Sequence, residues 1–131
     1  MTKKLAFRLV FFLYLAAVLV LCFANFTDAP SVTQSILGIP TDKIVHFCMF
    51  FPFPVLAFLA FDTFTKNWRT SLLFAIAAFG AGIILALATE WGQAHLTTWR
   101  SGDPKDFAAD IIALGVSSIL VFILDIRKQR K

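Results

Sequence analysis

Charge is scarce in this sequence. Charged residues make up 15% of its 131 positions, against about 25% in an ordinary soluble chain. That scarcity excludes intrinsic disorder, which needs high charge and low hydrophobicity. Cysteine and histidine are also rare, two of each. Cys22 and Cys48 lie in apolar runs and read as buried free thiols. Leu21 stands before Cys22, where a lipoprotein cleavage site would need a small residue. Also missing are the HExxH zinc signature, any histidine-rich phosphatase pattern and any nucleophile motif. A zinc set of His46, His95 and Glu90 lacks paired ligand spacing, because His95 falls in a loop beyond the third apolar run. No metal and no cofactor is therefore expected. There is no internal repeat, low-complexity tract or interdomain linker, so residues 1–131 read as one domain.

What fills the space is apolar. Hydrophobic residues reach 59%, against roughly 45–50% in soluble proteins, and the mean hydropathy is +0.79. A soluble domain of this size has too little interior to hide that much apolar surface. The expectation is an all-α, polytopic membrane protein. The net charge of +4 would suit nucleic acid, but the basic residues sit just beyond apolar runs, as topology signals do. No basic stripe interleaves with aromatics, so nucleic acid is not an expected partner.

Four runs can each cross a bilayer, which takes about 20 apolar residues as helix. They cover about Leu5–Phe26, Ile44–Phe61, Ser71–Thr89 and Phe107–Ile126. Lys3, Lys4 and Arg8 before the first resemble a signal peptide, yet Leu9–Ala24 is longer than the usual core of roughly 7–15 residues. No small-x-small cleavage site follows, so a retained helix is expected. Asn25-Phe26-Thr27 fits the glycosylation pattern, but it abuts this span and is discounted. Pro52 and Pro54 lie inside the second run, where their missing amide donors should kink the helix. Asp103, Pro104 and Asp106 give the fourth run the cap, first position and third position of a well-started helix.

Orientation follows from lysine and arginine. With both termini cytoplasmic, nine basic residues face inward: Lys3, Lys4, Arg8, Lys66, Arg69, Arg127, Lys128, Arg130 and Lys131. Only Lys43, Arg100 and Lys105 face outward. The positive-inside rule therefore predicts both termini in the cytoplasm. The acids are biased the other way: Asp28, Asp42, Glu90, Asp103, Asp106 and Asp110 lie outside, with both histidines. Any chemistry should face away from the cytoplasm.

Helical spacing groups these residues. Asp42 and His46, four apart, share a face. Ala78, Gly82 and Ala86 form a small-residue stripe that runs on to Glu90 and Gln93. Ser117, Ala113, Asp110 and Asp106 form a second. Small residues let membrane helices approach closely. If these stripes pack together, Glu90 and Asp110 converge beside Asp42 and His46. Bland roles compete: helix-start acids for Asp42 and Asp106, a satisfied polar histidine for His46, an interfacial belt for Trp91 and Trp99. Glu90 and Asp110 are harder to dismiss, because acids in a span are costly and usually functional or paired. Arg100 is the outer-side counter-ion expected for Glu90, in a loop long enough to fold back over it.

The motifs Asp42-Lys43-x-x-His46-Phe47, Glu90-x-x-Gln93, Arg100-Ser101-Gly102-Asp103 and Asp106-x-x-x-Asp110 resemble the VanZ-like family over about residues 41–118. Family members usually carry Asn at the position of Asp110 and Gly near Ala113 and Ser117. The resemblance implies a small protein of the bacterial cytoplasmic membrane, linked to the cell envelope. The family is named for an accessory protein of resistance to the glycopeptide teicoplanin.

Three functional classes remain. The first is recognition of an envelope lipid, such as a lipid-linked cell-wall precursor, at an outer site of Asp42, Lys43, His46, Glu90, Gln93, Arg100, Asp106 and Asp110. Carboxylates and Gln93 suit sugar hydroxyls, while Lys43 and Arg100 suit a phosphate. The second is an enzyme acting on such a head group with Glu90, Asp106, Asp110 and His46 as acids and bases. The third is a structural or accessory subunit with a membrane protein partner.

Overall fold

The computed structural model describes residues 2–25, 35–62, 65–99, 102 and 104–131. Helix α1 spans Lys3–Phe23, α2 Thr41–Phe50, α3 Pro52–Phe61, α4 Trp68–Leu96 and α5 Pro104–Arg130. Before α2, strands β1 (Ser35–Ile36) and β2 (Ile39–Pro40) pair antiparallel. Their turn holds Leu37 and Gly38 at φ +52° and +80°, the left-handed pair that a tight hairpin requires. Leu37 stands there almost fully exposed.

Four helical segments are long and apolar enough to cross a membrane: α1, the continuous stretch Thr41–Phe61, α4 and α5. The first two hold 21 residues each, about 31 Å at 1.5 Å per residue, close to the roughly 30 Å hydrocarbon layer. The 29 and 27 residues of α4 and α5 reach beyond it. This is a multi-pass membrane protein built as a helix bundle.

The faces by which α4 and α5 meet are built largely from small and polar residues. The residues α4 buries are small or polar: Ser71, Ala75, Ala78, Gly82, Ala86, Thr89, Gly92 and Gln93. On α5, Asp106, Asp110, Ala113, Ser117, Ser118 and Asp125 are buried. Large apolar side chains such as Leu13, Leu73, Ile84 and Ile119 point outward. Where lipid solvates such groups, close backbone approach becomes a main cohesive term, beside a core of Phe11, Val18, Phe50, Phe53 and Leu114. The expected pairing of the two stripes is present. Leu114 fills the hollow that Gly82 leaves, and a Cβ there would collide with the leucine side chain. Gly92 plays the same part towards α1, where a Cβ would lie 2.6 Å from the Phe23 ring.

The second span passes from α2 to α3 through Phe51, which keeps right-handed helical angles and donates to the Phe47 carbonyl at 3.0 Å. Pro52 and Pro54 open α3, leaving the Cys48 and Phe50 carbonyls without their usual donors. Between those two, the Met49 carbonyl accepts the Tyr14 hydroxyl from α1. Cys22 is buried as expected, but Cys48 is exposed: it lies on the face of α2 opposite His46 and Phe50, turned out of the bundle.

Polar ties fasten one end. The Asn67 side chain caps α4, accepting from the amides of Arg69 and Thr70 at 3.0 Å. Lys4 and Lys128 both pair with Asp62. Ser71 hydrogen-bonds the buried Asp125 and accepts from Gln129 at 2.7 Å. The start of α1, the end of α3, the start of α4 and the end of α5 therefore meet at this end. Asp42, Glu90, Asp106 and Asp110 gather at the other.

Candidate functional site

His46 is the hub of the opposite end. One turn into α2, it is 3% exposed, and both ring nitrogens face carboxylates of α5. Nδ1 lies 2.9 Å from Asp110 Oδ1, and Nε2 lies 3.4 Å from Asp106 Oδ2. Asp106 and Asp110 are four apart, so they stand on one face of α5 and bracket the ring. Asp106 also pairs with Lys43, whose ammonium in turn lies 2.7 Å from Asp42. A continuous chain results: Asp42, Lys43, Asp106, His46, Asp110. It descends from an exposed carboxylate to a fully buried one.

Glu90 enters from α4. It is half-buried, and one ligand atom from each of His46, Glu90 and Asp110 lies within 4.8 Å of the others. These are the side chains that could hold a metal ion. The convergence expected from the two stripes is thus present. Asp110, and not His95, stands with His46 and Glu90. His95 is exposed, stacks on Trp91 with ring centroids 4.9 Å apart, and bonds the Trp91 carbonyl at 2.9 Å.

Buried polarity at this depth must be satisfied internally. Asp110 is only half satisfied. It is wholly buried, and its Oδ2 has no hydrogen-bond partner among the described residues.

Of the sequence candidates, Asp42, Lys43, His46, Asp106, Asp110 and Glu90 come together. Gln93 does not join their chain of contacts: its amide donates to the Cys22 carbonyl at 2.9 Å and ties α4 to the end of α1. Trp99 makes a similar tie, donating to the Phe23 carbonyl at 3.2 Å. Arg100, Ser101 and Asp103 lie outside the described residues, as does Asp28. Gly102 sits against α4, where a Cβ would lie 3.2 Å from the Glu90 carbonyl and 3.5 Å from its Oε2. Gly102 therefore lies against Glu90.

Spacing alone does not reveal that Lys43 reaches across to Asp106, nor that Asp125 is buried at the far end. Asp125 does carry a signal, since it continues the stripe from Ser117 through Val121 by steps of four. An apolar groove of about 300 Å³ between α4 and α5, lined by Phe79, Gly115 and Phe122 among others, contains no titratable group.

The chain matches no family model, no curated protein and no solved structure.

Proposed function

We propose that this chain is a VanZ-like protein of the bacterial cytoplasmic membrane, with both termini cytoplasmic and a bend at the prolines of its second span. Its outward polar mouth recognises the head group of an envelope lipid. The observation that carries the reading is the graded chain from exposed Asp42 through Lys43 and Asp106 to buried His46 and Asp110. A cluster that only locked helices together would have no reason to open at one end. Here an exposed carboxylate and a partly exposed lysine lead inward to a row of acceptors.

The donor set favours a hydroxyl-rich head group. Lys43 is committed to two carboxylates, so a bare phosphate would have to compete for it. Sugar hydroxyls, in contrast, donate to carboxylates directly. A sugar-phosphate such as a lipid-linked wall precursor offers both kinds of group. Involvement in glycopeptide resistance or envelope homeostasis belongs to the same proposal.

An enzymatic reading is less well supported. A general base needs a free nitrogen facing its substrate, and both nitrogens of His46 face carboxylates. Mass spectrometry of lipids that co-purify in mild detergent tests the proposal. A specific glycolipid should accompany the native protein and be lost from Lys43→Gln, Asp106→Asn protein that remains folded. Retention of the same lipids by that variant would remove the head-group site.

A further inference from the structure

We propose that His46, Glu90 and Asp110 form a binding site for a first-row divalent cation, with zinc the best match. Three side chains from three spans offer ligand atoms within 4.8 Å of one another. The set, one imidazole and two carboxylates, is what zinc accepts, with ligand bonds of about 2.0–2.2 Å. His46 Nδ1 and Asp110 Oδ1 are 2.9 Å apart and hydrogen-bonded; an ion taking the place of that proton would open them to about 3.3 Å, the edge of a tetrahedron with such bonds. Glu90, on the longest side chain of the three, has the most rotatable bonds with which to close in.

The independent observation is Asp110 itself. Its side chain is wholly buried, and its Oδ2 has no hydrogen-bond partner among the described residues. A carboxylate oxygen stranded in the interior is costly. A cation supplies the missing partner, and it also converts a close histidine–acid cluster into a coordinated one.

The surroundings match what metal sites require beyond their ligands. A metal-bound histidine almost always donates its other ring N–H to a carboxylate, which fixes the ring. With Nδ1 turned to the ion, Nε2 is the outward nitrogen, and Asp106 Oδ2 stands 3.4 Å from it. Lys43 holds Asp106 in turn. Three protein ligands leave at least one coordination position for water or a ligand oxygen. The inference goes beyond the head-group reading and does not depend on it, since metal binding is measured with no lipid added.

The full-length protein, purified in mild detergent and stripped with EDTA, is titrated with zinc chloride and separately with manganese chloride. Calorimetry, elemental analysis after desalting and thermal unfolding are the readouts. Zinc should bind at one ion per chain and raise the unfolding temperature. Glu90→Gln and Asp110→Asn should each abolish stoichiometric binding. Asp106→Asn, which leaves the three ligands, should weaken affinity roughly 10–100-fold, and His95→Ala, whose exposed ring contacts Trp91, should bind as the native chain does. The native protein decides the matter even if a variant fails to fold. Absence of stoichiometric zinc or manganese together with an unchanged unfolding temperature overturns the proposal. Undiminished zinc binding by folded Asp110→Asn protein overturns it too, because the ion would then sit elsewhere. Native protein that binds zinc but carries no specific lipid would overturn the proposed function and leave this site standing.

Discussion

His46 Nδ1 meets Asp110 Oδ1 at 2.9 Å, a buried contact that joins residues 64 positions apart. The contact couples the second span to the fourth. Removing one partner of a buried hydrogen bond leaves the other unsatisfied, at a cost of about 1–3 kcal/mol. His46→Ala and Asp110→Ala should each lower stability by about that much in metal-free detergent. The double variant should lose less than the sum, with a coupling of about 0.5–3 kcal/mol. Thermal or denaturant unfolding of the four proteins measures it. Strictly additive losses would mean that the two side chains contribute independently.

Gly82 and Leu114 form a close apolar joint between α4 and α5. Gly82→Leu places a branched side chain where the wholly buried Leu114 already sits. Overpacking a filled interior costs about 1–3 kcal/mol and forces backbone shifts. Leu13, in contrast, is 69% exposed on the lipid face of α1, so Leu13→Ala should change stability little. Comparable unfolding temperatures for the two variants would deny the joint its role.

Much of this arrangement is legible in the amino-acid sequence. The stripe Ala78-Gly82-Ala86 and the stripe Asp106-Asp110-Ala113-Ser117 stand at helical spacing, and each occupies a buried face. Membrane bundles make such stripes informative, because small and polar residues are rare there unless another helix covers them. Contacts between spans are not legible in this way. Nothing local tells that Lys43 reaches Asp106, or that Gln93 donates to the Cys22 backbone instead of joining the acids. Those pairings depend on how the helices rotate about their axes and which ends meet. Cys48 shows the same limit: an apolar run says that a residue lies in the membrane, not whether it faces protein or lipid.

The proposed orientation has a direct chemical test. Single cysteines at Ser35 and Ser101, in a chain lacking Cys22 and Cys48, should react with an impermeant thiol reagent on intact cells. A cysteine at Asn67, beside the start of α4, should react only after the membrane is opened. Labelling at position 67 alone would place the His46–Asp110 end in the cytoplasm and reverse the proposed site.

The opposite end supplies a pH test. Burial pushes the Asp62 carboxyl up, but hydrogen bonds and charge from Lys4 and Lys128 outweigh it and hold the group below its ordinary value of 3.8. A carboxyl whose pKa is lower folded than unfolded adds stability that is fully present above the unfolded value. That stability is lost as pH falls through the folded value. Its size here is modest, because the Lys4 and Lys128 side chains are 37% and 69% exposed, and exposed pairs contribute about 0.2–1 kcal/mol. Asp62→Asn should therefore unfold at a slightly lower temperature than the native chain near neutral pH. The gap should narrow as pH drops through the acid range and close once native Asp62 is protonated. It should also shrink in high salt, which screens exposed charges. A gap that stays constant from neutral to strongly acidic pH would show that Asp62 acts through packing and not through its charge.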